Sequence, residues 1–279
     1  MSGRLFIIAT PIGNLGDISE RQKVCLSTCD LILAEDTRVT IKLLNHLGIK
    51  KQMVSCHDYN ESQRLTLLTE LSLKDASVAL VSDAGTPLVS DPGHSIVQRA
   101  IELEMQIIPV PGPNAALAAL CGSGLPCNRF SFEGFLPDKA TERAKRLQRI
   151  KDDDRTLIFY VASSNALLIL EDLERHLGDR PAALARELTK VHEEFLRDSL
   201  SGLARCLTSK KLRGEIVLVV GGSLNERNQR ASQQEVKERL QELLLQGGRL
   251  KEISVLLALE SGWSASQIYK LGLILKDGE

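Results

Sequence analysis

Aromatic residues are scarce in this sequence: six Phe, three Tyr and one Trp make up 4% of it, although 43% of its residues are hydrophobic. A core so short of rings must be filled by Ala, Val, Ile and Leu, the balance of buried sheet strands covered by helices. Long apolar runs are missing too, and no segment approaches the ~20 residues that a membrane-spanning helix needs. The run Leu5 to Ala9, between Arg4 and Thr10-Pro11, is too short for a secretory signal, so a cytoplasmic location is expected. Net charge is also nearly absent, at −1, and any attraction for a polyanion must come from a local patch. The six cysteines (Cys25, Cys29, Cys56, Cys121, Cys127, Cys206) include no C-x-x-C pair and no Cys/His cluster of zinc spacing. They are expected to be reduced core residues, with no metal bound.

What is present is a succession of short apolar runs separated by helical patterns, within a length of 279 residues that suits two domains, or two plus an appendage. Leu5 to Ala9, Leu31 to Ala34, Met53 to Cys56, Val78 to Val81 and Gln106 to Val110 read as strands of a mostly parallel α/β sheet. After the fourth strand, Asp91 is placed to cap a helix with Pro92 in its first position, and Gly112-Pro113 opens the next helix. The turn-rich run Cys121 to Pro126 marks a boundary, which predicts a first α/β domain over 1–121 and a second over 126–222. Strands of the second are expected at 129–133, 156–161, 182–186, 193–197 and 215–220, with helices near 140–150, 164–176 and 199–208. Beyond Gly221-Gly222 only helix signals remain. Ser232 with Glu235 and Ser264 with Gln267 form capping boxes, so 226–279 is expected to be a small helical appendage.

The chemistry-bearing blocks fall where strands end, the edge at which an open α/β sheet holds its ligands. Thr10-Pro11-Ile12-Gly13-Asn14-Leu15-Gly16-Asp17 follows the first strand without forming a G-x-G-x-x-G fingerprint. SDAGTPLVSDPG, 82–93, follows the fourth: Gly85 permits close backbone approach, while Asp83 and Thr86 offer polar contacts. Glu35-Asp36-Thr37-Arg38 closes the second strand with two acids and a base suited to hydroxyl and phosphate contacts, and Asp36 or Thr37 can also cap the following helix. His57 to Glu61 closes the third, where Asn60 either caps a helix or serves a substrate. PVPGPNAA, 109–116, makes a sharp strand-to-helix turn. One charge feature is separate from these: Lys139, Arg143, Lys145, Arg146, Arg149 and Lys151 face a single acid, Glu142, a patch of the kind that phosphate contacts require. Asp152-Asp153-Asp154 is its counterweight if the helix is merely a solvated face.

Together with FEGFLP (132–137), LARELTKVHEEFLR (184–197) and RGEIVLVV (213–220), these blocks resemble the tetrapyrrole methylase superfamily, most closely its ribosomal RNA small subunit methyltransferase I branch, which methylates a cytidine ribose. The resemblance implies two α/β domains of that type with the cofactor cleft between them, a homodimer, and S-adenosylmethionine as methyl donor. It implies as receptor a cytidine 2′-hydroxyl of small-subunit (16S) ribosomal RNA, free or in the assembled subunit. By the same resemblance Pro11, Gly85, Thr86, Val89, Asn114, Ala115, Ala185 and Gly214 would hold the cofactor. Asp36, Arg38, Arg186 and Glu187 are the candidates for receptor contact and proton removal. The sequence departs from the family where Phe-Tyr is followed by Glu-(Ala or Ser)-(Pro or Thr)-His-Arg: here Val161-Ala162-Ser163-Ser164-Asn165 stands instead. Two rival readings therefore stay open, a C-methyltransferase acting on a tetrapyrrole and an RNA-binding relative that has lost its chemistry.

Overall fold

The computed structural model describes residues 3–57, 60–208, 214–223 and 232–277. Asp58 and Tyr59 of the third-strand block, Arg213, and the start of the appendage at 226–231 lie outside the described residues.

Five strands, β1 (Arg4–Ile8), β2 (Leu31–Ala34), β3 (Met53–Ser55), β4 (Ser77–Val81) and β5 (Gln106–Val110), pair in the order β3-β2-β4-β1-β5. All four pairings are parallel. Alternation along the strands decides the layers, because successive side chains point to opposite faces. Phe6, Ile8, Ile32, Ala34, Ala79 and Val81 join a core with α1 (Glu20–Thr28) and α2 (Thr37–His46). Leu5, Leu31, Leu33, Val78 and Leu80 face α3 (Glu61–Ser72) and α4 (His94–Glu102) on the other side. With helices on both faces, the sheet leaves its carboxyl edge as the open rim.

The second sheet contains β6 (Phe130–Phe135), β7 (Thr156–Ala162), β8 (Pro181–Arg186), β9 (Glu194–Ser199) and β10 (Glu215–Val220), in the order β6-β7-β10-β8-β9. Only its β6–β7 pair is parallel; the other three pairings are antiparallel. One face, with Leu157, Phe159, Leu184 and Leu218, is covered by α6 (Ala140–Arg149), α7 (Ala166–Leu177) and α8 (Leu200–Thr208). The opposite face, with Ile158, Ala185, Val217 and Val219, is covered by α5 (Ala115–Ser123) and by Ile12 from the first loop. Thus α5, which sequence order groups with the first unit, lies on the second sheet. The small side chains Ala116 and Ala119 let it approach those strands closely. Three further helices, α9 (Gln233–Leu245), α10 (Leu250–Ser261) and α11 (Ala265–Asp277), enclose their own core of Val236, Leu240, Ile253, Leu257 and Ile268. Both expected capping boxes are present there.

Three local expectations are corrected. The helix after β4 begins at His94 with Gly93 as its cap, not Asp91, because Leu88, Ser90 and Gly93 all take left-handed backbone and turn the chain before it can coil. Asn60 makes no side-chain cap; its oxygen accepts from the His57 amide at 3.0 Å and its amide donates to Ser55. The cysteines divide: Cys25, Cys29 and Cys56 are buried, Cys206 is half-buried, and Cys121 and Cys127 are exposed. Cys121 ends on the outer side of α5, a helix apolar nearly all round, so periodicity could not tell its outer side from its core side.

Candidate functional site

The loops after β1, β2, β4 and β5 leave the same edge of the first sheet and are tied to one another. Thr10 and Gly85 exchange both backbone hydrogen bonds, at 2.8 and 3.0 Å. The Thr10 hydroxyl donates to the Ser82 carbonyl at 3.1 Å and the Thr86 hydroxyl to that of Pro113 at 3.1 Å. Gly85 has φ +85°, and a Cβ there would meet Ile12 Cγ2 at 3.3 Å. A left-handed position with so little room selects glycine. Gly85 and Gly93 take positive φ freely, whereas Leu88 and Ser90 at φ +74° and +67° give the 82–93 loop two strained positions, of the kind found at ligand clamps. Pro11 follows the Thr10–Gly85 bridge directly. Thr86 and Val89 lie on the clamped loop, and Asn114 caps α5 by accepting from the Leu117 amide at 3.0 Å, which leaves Ala115 in the first turn.

Across from these loops stands the turn between β8 and β9. Ile12 packs against Ala185 and Leu188, and a Cβ on Gly13 would lie 2.5 Å from Lys190 Cγ, so the Lys190 side chain crosses the first loop. Lys190 also pairs with Glu187 at 3.1 Å, and Glu187 in turn occupies the space beside Gly214, whose added Cβ would clash with its carboxylate. Ala185 itself is fully buried, in the apolar cluster that joins Ile12 of the first loop and α5 to the second sheet.

The four candidates for receptor contact are tied in ion pairs. Asp36 caps α2 through the Arg38 amide and accepts from the Arg38 guanidinium, with a shortest contact of 2.6 Å. Those hydrogen bonds hold the Asp36 carboxyl at about 2. Arg186 donates to Glu194 at 2.7 Å, and the Lys190 hydrogen bond holds Glu187 below the usual carboxylate range. Both acids thus stay ionised and accept protons poorly near neutrality. Sequence reasoning missed the acid that differs. Burial pushes the Asp91 carboxyl up to about 6, against a hydrogen bond from Ser82 and aided by the charges of Glu35 and Asp83. Asp83 is raised by its burial as well, although it accepts from the Asp36 amide at 2.9 Å. No sequence signal marks Asp91 apart from its own turn, because its shift comes first from burial and then from acids 8 and 56 residues away in sequence.

A pH dependence follows. Asp91 binds its proton more tightly folded than unfolded, so folding takes up a proton between about pH 4 and pH 6, and stability falls as pH rises through that window. Asp91→Asn cannot titrate. Its melting temperature relative to the parent should climb from about pH 4 to pH 6 and then level off, as followed by thermal melts; a difference independent of pH would show that Asp91 is not perturbed.

The basic segment resolves into two kinds of residue. Arg143 is 3% exposed: it donates to Asp172 at 2.7 Å and to the carbonyls of Pro137 and Asp138, and this spends its charge inside the protein. Its membership of a phosphate-binding patch is corrected, since α6 turns that face onto α7. Arg146 pairs with Glu133 at 2.7 Å and Lys139 with Glu142 at 3.3 Å. Lys145, Arg149 and Lys151 are exposed. Among the described residues no group of His, Cys, Asp and Glu could hold a metal ion, and no helix is long and apolar enough to cross a membrane. An open groove of about 600 Å³ between α3 and α4, lined by Leu65, Thr69 and Arg99, touches none of these loops.

Comparison with known proteins places this architecture. The family of tetrapyrrole (corrin/porphyrin) methylases matches residues 4–204. The ribosomal RNA small subunit methyltransferase I of Pasteurella multocida is 41% identical over 98% of this chain and 98% of its own length. The protein of the same name from Synechocystis sp. is 42% identical over 98% of this chain and 99% of its own. Among solved structures, the uroporphyrin-III C-methyltransferase of Thermus thermophilus, determined with S-adenyl homocysteine, shares the fold at a TM-score of 0.54 and 18% identity, covering 78% of this chain and 97% of that one. The chain belongs to the tetrapyrrole methylase family, in its ribosomal RNA small subunit methyltransferase I branch.

Proposed function

We propose that the protein transfers a methyl group from S-adenosylmethionine to the 2′-hydroxyl of a cytidine in small-subunit ribosomal RNA. The observation that carries this reading is the clamped pair of loops at Thr10 and Gly85, opposite Ala185 and Lys190, in a chain whose relatives over nearly its full length are named ribosomal RNA small subunit methyltransferase I. The site fits the donor: backbone approaches closely at Gly85, the acids Glu35 and Asp83 suit hydroxyl groups, and the cluster of Ile12 and Ala185 beside the loops is small and apolar. When bound, the donor supplies a methyl carbon already activated by its sulfonium. The protein's work is then alignment and the handling of one proton. Pro11, Gly85, Thr86, Val89, Asn114, Ala115, Ala185 and Gly214 hold the donor. Asp36, Arg38, Arg186 and Glu187 contact the receptor as charge partners, and Asp91, whose proton affinity lies closest to neutrality among the shifted acids here, is better suited than they are to take up the proton.

The reading includes a cytoplasmic location, two α/β units over 1–121 and 126–222 followed by the helical appendage, and a homodimer. Val255, Leu256, Tyr269, Leu273 and Ile274 expose apolar surface on α10 and α11, which suits that appendage to a dimer or receptor contact. Incubation of the protein with labelled S-adenosylmethionine and small-subunit RNA, naked or in the subunit, should place label on a ribose 2′-oxygen. Binding of donor and RNA without transfer would instead select the non-catalytic reading, which the loss of the family's Glu, His and Arg at Val161, Ser164 and Asn165 favours. The exposed basic residues give a second check. Lys145→Glu with Arg149→Glu should reduce the salt slope of RNA binding by about two units, near one for each phosphate no longer neutralised, and spare donor affinity. Equal slopes for both proteins would remove α6 from the RNA path.

A further inference from the structure

A cavity of about 310 Å³ opens at the carboxyl ends of β6 and β7, walled by Phe135, Asp138, Tyr160, Ala162, Asn165 and Leu168. Its volume is at the lower end of small-ligand sites, roughly 300–1,000 Å³. Phe135 is 61% exposed, an unusual position for one of only six phenylalanines. Its ring stands edge-on to Tyr160 at 5.5 Å, and Phe132 packs edge-on to Tyr160 from the other side at 5.0 Å. The Tyr160 hydroxyl accepts from the Ala116 amide in the first turn of α5, next to Asn114 and Ala115. On the other flank, the β6 bulge at Gly134 abuts Ser90 of the 82–93 loop. The aromatic wall is thus tied to the first turn of α5 and to the 82–93 loop.

The family's acid and base at positions 161 and 165 are Val161 and Asn165 here, and both line this one cavity. Their replacement leaves the wall with neither charge of that pair. Of the charges that remain, Arg143 is spent on Asp172 and on two carbonyls. What is left is a ring-faced slot with the Asn165 amide and the Asp138 carboxylate in its wall, at the start of α6. A flat heteroaromatic group carried on a phosphate chain matches these features: rings for its face, an amide and a carboxylate for its polar edge, and the exposed Lys145 and Arg149 further along α6 for its phosphates.

Resting on the proposed methyl transfer to RNA, we infer that this cavity receives an unstacked nucleobase of the RNA substrate, with Phe135 as its stacking surface and Asn165 at its edge. Phe135 is then a specificity-determining residue that touches the receptor and not the donor.

The test is steady-state methyl transfer to small-subunit RNA, with donor affinity measured by calorimetry and folding by thermal melts. Loss of one base–aromatic stack should lower kcat/KM of Phe135→Ala for RNA roughly tenfold or more, chiefly through KM, with donor affinity and melting temperature unchanged. Phe135→Trp should restore most of it, because any ring face serves. An unchanged kcat/KM in Phe135→Ala, or a loss shared by donor affinity, overturns the base cavity and leaves the RNA reading standing. Failure of the parent protein to methylate RNA overturns that reading, and the assignment of the cavity with it.

Discussion

Gly85→Val is expected to abolish useful binding of S-adenosylmethionine, weakening it by roughly a hundredfold or more, about 2.8 kcal/mol. The residue sits at φ +85° in mutual hydrogen bonds with Thr10, and an added Cβ already comes within 3.3 Å of Ile12. A β-branched side chain is among the poorest occupants of left-handed backbone, at a strain of about 1–3 kcal/mol, and its two methyl groups would claim space beside the Pro113 carbonyl as well. The chain can relieve both only by breaking the Thr10–Gly85 bridge, and that bridge is what holds the first and fourth strand-end loops at one spacing. Calorimetry on the folded variant is the check, with Gly85→Ala beside it as the milder case in which backbone strain acts almost alone. Full affinity in a folded Gly85→Val protein would remove the 82–93 loop from the donor site.

Arg143→Ala should cost about 3 kcal/mol of stability, near the lower end of the range for breaking a buried ion pair. Asp172 would lose its 2.7 Å partner, and the carbonyls of Pro137 and Asp138 would lose their donor. The cost stays near the lower end because Arg175, itself mostly exposed, still reaches Asp172 at 3.1 Å. A fall in melting temperature of about 6–12 °C is the measurable form. Lys145→Glu and Arg149→Glu, on the exposed side of the same helix, should each change stability by no more than about 0.5 kcal/mol. A melting temperature for Arg143→Ala within a degree or so of the parent would mean that the α6–α7 contact does not depend on this pair. The contrast matters for function, since six basic residues in one run look alike in sequence while only some of them are free to meet a phosphate.

How far the sequence could be read depended on the range of the interactions. Strands β2 and β5 occupy the expected residues, and β4, β7 and β8 come within one, because apolar runs bounded by turn formers report burial locally. Asp36 at the head of α2 was legible as a cap, since a cap is made within three residues, whereas the helix expected to open at Gly112-Pro113 starts at Ala115 with Asn114 as its cap. Asp91 misled for the opposite reason: an Asp-Pro pair ahead of an amphipathic stretch is a sound start signal, but the left-handed turn at Ser90 and Gly93 sent that carboxyl back toward Ser82.

The local pattern of this chain was enough to specify alternating α/β layers, the strand-end loops at Thr10, Glu35, Ser82 and Pro111, and the capped helices of the tail, for these depend on neighbours within a turn or a strand. Tertiary structure alone decided which charges survive as charges and what faces what. It brought Lys190 across Gly13, laid α5 on the second sheet, buried Arg143 against Asp172, gathered Glu35, Asp83 and Asp91 until one of them holds its proton near pH 6, and opened the Phe135 cavity at the ends of β6 and β7. Burial and the electrostatic coupling of groups far apart in sequence are properties of the packed chain, and a residue's type and spacing do not carry them.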